Sequence, residues 1–112
     1  MIDDDDFLSR PLCRLDELPP FGSKGLTYQG SALFVVRQGE RVFVYENRCP
    51  HRGIPLEWTP DQFLDSSHRL IQCATHGALF LPETGECIAG PCTGAHLTAR
   101  ACHISNGYLW LD

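Results

Sequence analysis

Ser31–Tyr45 reads SALFVVRQGERVFVY, and this stretch decides the fold class. Two runs rich in β-branched and aromatic residues, Ser31 to Arg37 and Arg41 to Tyr45, flank Gln38-Gly39-Glu40. Such runs favour extended backbone, and a short glycine-containing link between them predicts a β-hairpin. On its N-terminal side, Leu26 to Tyr28 reads as a short strand. Earlier still, Leu12 to Leu15 reads as a strand ended by Pro19-Pro20, and Gly22 to Gly25 as turn material. On the C-terminal side, Arg69 to Gln72, Ala78 to Leu81 and Glu86 to Ala89 read as strands, with Pro82-Glu83-Thr84-Gly85 as a turn. Leu97 to Ile104 alternates weakly, with Leu97, Ala99, Ala101 and His103 on one face. Asn106-Gly107 signals a type I′ turn before a last strand, Tyr108 to Leu111. No helix and no internal repeat is legible. The predicted class is all-β, built of short antiparallel strands.

The 112 residues suffice for one small domain with a modest core, expected to span 1–112. Residues 1–6, with Asp3 to Asp6, are expected to form a solvated, flexible tail. The net charge of −5 argues against nucleic acid or an anionic membrane surface as a partner, and suits attraction to a basic protein. The acidic N-terminus lacks the apolar stretch of a signal peptide, and no apolar run approaches membrane-spanning length. The expectation is a soluble cytoplasmic protein.

The second strand of the hairpin runs through Asn47 into CPHRG (Cys49–Gly53), and a second such motif, CATHG (Cys73–Gly77), follows. Each supplies one thiol and one imidazole: Cys49 with His51, and Cys73 with His76. Two thiolates and two imidazoles make a four-ligand metal site, suited to tetrahedral zinc or to an iron–sulfur cluster with mixed ligands. Structural zinc sites usually pair like ligands within each loop. One of each kind per loop better suits a two-iron cluster, with both thiolates on one iron and both imidazoles on the other. Gly53 and Gly77 lack a Cβ and would let backbone N–H groups come close to cluster sulfides. Pro50, Pro55 and Pro60 break regular structure after Tyr45, as befits a loop rigidified around a cofactor. Leu56 and Trp58 are expected to pack beneath the cluster or in the core. Asp61 to Ser67 reads as a polar connection.

At these residues the sequence resembles the Rieske [2Fe–2S] proteins, and in particular the small soluble Rieske-type ferredoxins associated with oxygenases. CPHRG, CATHG, a later Gly90-Pro91-Cys92, and Phe80 with Thr84-Gly85-Glu86 carry the resemblance. It is strongest from Arg41 to Leu97. It implies a β-sandwich base drawn from both ends of the chain, with a small cluster-binding subdomain of two loops at about 46–93. It also implies a [2Fe–2S] cofactor held by Cys49, His51, Cys73 and His76, with Gly53, Gly77 and Pro91 shaping the surroundings. The gap between the loops is a few residues longer than is common in the family, and the excess is assigned to Thr59–Arg69.

Other departures bear on redox tuning. Respiratory members carry an extra cysteine in each loop, joined as a disulfide; Ile54 and Ala74 stand there, so that link cannot form. Ala78 and Phe80 stand where those members have a serine and a tyrosine that donate hydrogen bonds to sulfur. Such donors stabilise the reduced state. Their absence predicts a potential toward the low end of the Rieske range, roughly −150 mV.

Cys13, Cys87, Cys92 and Cys102 are read as buried or half-buried small side chains, with Cys92 nearest the cluster through its Gly-Pro-Cys segment. His68, His96 and His103 are read as surface residues. The functional expectation is a one-electron carrier, not an enzyme, passing electrons from a flavoprotein reductase to a terminal oxygenase. The chain shows no glycine-rich nucleotide fingerprint and is too short for an added mononuclear-iron catalytic domain. The alternatives are a small Rieske subunit of a larger oxidoreductase, such as a nitrite reductase, and a structural zinc module.

Overall fold

The computed structural model describes residues 10–50, 53–57, 59–75 and 77–112. The expected tail at residues 1–6, together with His51, Arg52, Trp58 and His76, lies outside the described residues. Among the described residues, ten strands form three antiparallel sheets. The strands are β1 (Cys13–Arg14), β2 (Ser23–Tyr28), β3 (Ser31–Gln38), β4 (Arg41–Glu46), β5 (Ile71–Gln72), β6 (Leu79–Phe80), β7 (Cys87–Ala89), β8 (Ala99–Arg100), β9 (Cys102–Ser105) and β10 (Tyr108–Leu111). The sheet orders are β1-β10-β9, β2-β3-β4-β8 and β5-β6-β7. Among the described residues the only helical element is a 3₁₀ turn at Leu15–Glu17.

The hairpin of β3 and β4 is the centre of the molecule. Gln38 pairs with Arg41, leaving Gly39 and Glu40 as a two-residue loop. Gly39 has φ 67° at the first central position, the signature of a type II′ turn. In β3, Leu33, Phe34, Val35 and Val36 are all buried, and alternate residues point to opposite faces. Leu33 and Val35, with Val44 of β4, pack toward Cys13, Leu18 and Leu109 from the β1-β10-β9 side. Phe34 and Val36, with Tyr45 of β4, pack toward Leu56, Phe63, Ile71 and Phe80. An unbroken apolar run is therefore required here, because the strand has no solvent face.

The β1-β10-β9 and β2-β3-β4-β8 sheets are the base sandwich expected from the resemblance, drawn from both ends of the chain. The β5-β6-β7 sheet belongs to the intervening segment. Asn106 and Gly107 have φ of 54° and 79°, giving the type I′ turn between Ser105 and Tyr108. Gln29 and Gly30 make a second turn with both φ values positive, unforeseen because glutamine is a weak signal there.

Three expectations need correction. Of Gly22 to Gly25, read as turn material, all but Gly22 is strand: Ser23, Lys24 and Gly25 open β2 and pair with Val36, Val35 and Phe34. The strand read at Leu12 to Leu15 is only Cys13–Arg14, because Leu15 already begins the 3₁₀ turn. The Arg14 N–H donates to the Glu17 carboxylate at 2.6 Å, and the Arg37 guanidinium donates to the carbonyls of Leu18 at 2.9 Å and Gly39 at 2.8 Å. These bonds fasten the turn to the hairpin. Leu97 to Ile104 is not one strand. The chain leaves one sheet after Arg100 and enters another at Cys102, and Ala99, Ala101 and His103 are exposed.

Candidate metal centre

The two cluster motifs fold into matching turns. In the first, the Cys49 N–H donates to the Ile54 carbonyl at 2.7 Å, and the Gly53 N–H donates back to the Cys49 carbonyl at 2.6 Å. In the second, the Cys73 N–H donates to the Ala78 carbonyl at 2.9 Å, and the Gly77 N–H donates to the Cys73 carbonyl at 2.8 Å. Gly53 and Gly77 both have φ 69°. The shared C-x₃-G spacing explains the match: each turn closes on a residue in the left-handed region, where glycine is favoured. A Cβ at Gly77 would meet nothing within 4 Å, so conformation rather than space calls for glycine there.

These turns hold Cys49 and Cys73 fully buried within one apolar cluster that also contains Leu56, Ala78, Phe80 and Cys92. The turns are joined directly. The Ala74 N–H donates to the Leu56 carbonyl at 2.8 Å. The Leu56 N–H donates to Asn47 Oδ1 at 2.9 Å, and Asn47 Nδ2 donates to the Glu57 carboxylate at 2.9 Å. Asn47 thus ties the end of β4 to the first turn and, through Leu56, to the second. This clamp spans the loops where respiratory Rieske proteins have a disulfide. Sequence reasoning passed it over; the signal was an asparagine just ahead of the first motif. The other two expected ligands, His51 and His76, lie outside the described residues.

The third segment leans on the second turn. Gly90 has φ 99°, and a Cβ there would lie 2.8 Å from Ala78 Cα, so only glycine fits this approach. Pro91 beside it is exposed. Cys92 is buried, its Sγ 3.0 Å from Cys87 Sγ. Burial, then the hydrogen bond to Cys87, pushes the Cys92 thiol above its ordinary pKa. Cys13 and Cys87 are buried and Cys102 is half-buried, as expected of small apolar side chains. His68, His96 and His103 are exposed.

Beneath the site, Phe63 is fully buried and stacks on Phe34, with ring centroids 4.5 Å apart and planes 3° from parallel. It lies within Asp61 to Ser67, which reads by composition as a polar connection, yet its ring belongs to the core. Leu56 packs in the core as expected. The segment of extra length, 59–69, is tied down on β2: Ser23 Oγ donates to the Asp61 carbonyl at 2.6 Å, and the Gly25 N–H donates to Asp61 Oδ1 at 2.8 Å. Among the described residues, no helix is long and apolar enough to cross a membrane.

The donor chemistry fits an iron–sulfur group. Soft sulfur donors are buried in an apolar cluster, while the charged Glu46 and Arg48 line the open cavity beside Cys49 and are not buried. Several solved structures share this fold. The ferredoxin of carbazole 1,9a-dioxygenase from Nocardioides aromaticivorans IC177 superposes with a TM-score of 0.76 at 23% identity, covering 93% of this chain and 96% of that one. The ferredoxin of Sphingomonas yanoikuyae B1 gives 0.71 at 23% identity, covering 93% and 97%. The terminal oxygenase of carbazole 1,9a-dioxygenase from Novosphingobium sp. KA1 gives 0.78 at 20% identity, but this chain covers only 29% of it. No curated protein sequence matches the chain. The family model of the Rieske [2Fe-2S] domain matches residues 9–104. The paired cysteine turns lie inside that match, and the chain belongs to the Rieske [2Fe-2S] domain family.

Proposed function

We propose that the protein is a cytoplasmic one-electron carrier, taking electrons from a flavoprotein reductase and delivering them to a terminal oxygenase. In this reading 1–112 is a single Rieske-type unit, with 46–93 as its cluster-binding part. Cys49 and Cys73 hold one iron, and His51 and His76 the other. Gly53, Gly77 and Pro91 shape the enclosure. The observation that carries the reading is the pair of matching turns, each burying one thiol in the same apolar pocket. The near-complete mutual coverage with two ferredoxins supports a carrier over a catalytic subunit, as do solved complexes of ferredoxin with oxygenase in carbazole 1,9a-dioxygenase.

When bound, the cluster supplies a one-electron couple. Two thiolates and two neutral imidazoles carry less negative charge than four thiolates, which eases acceptance of an electron. The buried apolar wall of Ala78 and Phe80 offers no side-chain donor to sulfur, which keeps the potential low within the Rieske range. The Asn47 clamp holds the turns while charge changes. The membership and the coupled turns favour the cluster over structural zinc.

The test is EPR of the dithionite-reduced protein with iron and sulfide analysis. About two irons and two labile sulfides per chain are expected, with a rhombic signal on reduction. His76→Cys should retain a cluster at a lower potential; an unchanged potential would remove His76 from the ligand set. Colourless protein binding zinc alone, even after anaerobic reconstitution, would overturn the carrier reading.

A further inference from the structure

Cys87 and Cys92 lie outside the proposed ligand set, and we infer that they are a redox modification site, closing to a disulfide with hydrogen peroxide as the oxidant. Cys87 opens β7 and Cys92 follows Gly90-Pro91, in the segment that leans on the second turn. Their sulfurs are 3.0 Å apart. A disulfide needs about 2.05 Å, so the sulfurs must close by roughly 1 Å. The backbone already brackets both residues. The Gly94 N–H donates to the Cys87 carbonyl at 3.1 Å, the Cys87 N–H to the Ala95 carbonyl at 2.9 Å, and the Ala95 N–H to the Cys92 carbonyl at 2.9 Å.

Burial selects the oxidant. Cys87 is 1% exposed and Cys92 7% exposed, which excludes a bulky disulfide such as oxidised glutathione and leaves a reagent near the size of water. Cys13 and Cys102 belong to the opposite core and do not compete. The Cys87 sulfur, which accepts the Cys92 S–H hydrogen bond, attacks one peroxide oxygen; the O–O bond breaks, one water leaves, and a sulfenic acid forms. The Cys92 sulfur then attacks the Cys87 sulfur, its proton leaving with the hydroxyl; the S–O bond breaks and a second water leaves. Two thiols and one peroxide give one disulfide and two waters, the sulfurs oxidised and the peroxide oxygens reduced. The link joins β7 to the Pro91 segment and so fastens the stretch that leans on the second turn through Gly90.

The sequence makes the test clean. Cleavage after Glu86 and Arg100 releases Cys87–Arg100, which carries these two cysteines alone. Cluster-loaded protein is treated with hydrogen peroxide, its remaining free thiols are alkylated in denaturant, and this peptide is weighed. The expected peptide is lighter by two hydrogens, takes up no alkyl group, and reverts with dithiothreitol. Cys92→Ser should instead leave a Cys87 sulfenic acid that dimedone traps once denaturant opens the fold. Iron release to a chelator should slow severalfold in the cross-linked form; equal or faster release would overturn the fastening role. Two alkylated cysteines at peroxide doses that preserve the visible absorption would overturn the site itself. So would sulfinic or sulfonic acid in place of the disulfide. The peptide readout is independent of electron transfer, so a disulfide in protein that binds no iron sinks the carrier and leaves this site standing.

Discussion

Tyr45 joins the hairpin to the cluster-binding segment through one hydroxyl. It is buried, and its hydroxyl donates to the carbonyl of Pro82, beyond the second turn. Burial, reinforced by the Glu83 charge, raises its pKa from 10.0 to about 12. A raised folded value means that the unfolded chain loses this proton first. The stability it confers is complete below pH 10 and is lost as pH climbs from 10 to 12, about 2–3 kcal/mol in all. Denaturant titrations across that window should show a steeper fall for the native protein than for Tyr45→Phe. Parallel curves would mean that the hydroxyl ionises as freely in the fold as out of it. Cys49 and Cys73 were legible as site residues because thiol, imidazole and glycine recur at short spacing. Asn47 and Phe63 were not. Their roles depend on what the fold brings opposite, a carbonyl chain in one case and the Phe34 ring in the other, and neither leaves a local pattern.

At the scale of elements, the strands divide by what holds them. The β3–β4 hairpin was legible because its own side chains favour extension and Gly39 sets the turn. The two-residue strands β5 and β6 were placed within a residue or two, but their lengths were not: β5 ends where Cys73 turns away toward the pocket, not where propensity falls. The switch between sheets at Ala101 was hidden for a related reason, since weak alternation continues across it while the backbone changes partners. The two faces of β3 also separate two kinds of effect. Val35→Thr keeps the shape but buries an unpartnered hydroxyl on the sandwich face, at a cost of about 1–3 kcal/mol. Its unfolding free energy should drop by that amount while its reduction potential stays that of the native protein. A shifted potential would mean that the two faces are not insulated.

Across the whole molecule, the extra residues at 59–69 do not hang free. They cross back to β2 through Ser23 and Gly25 and place Phe63 under the site. The hairpin is thus covered on one face by residues from both chain ends, and on the other by the segment between. Sequence made the class and the two-part plan readable, through strand pattern and through resemblance respectively. It did not reveal that one strand serves both parts. That sharing has a thermodynamic consequence. Neither half can melt alone without stripping a hydrophobic wall from the other, so the polypeptide should lose its visible cluster absorption and its far-ultraviolet β signal at one midpoint, as a single cooperative event. Two separated midpoints would mean that the halves fold as independent units.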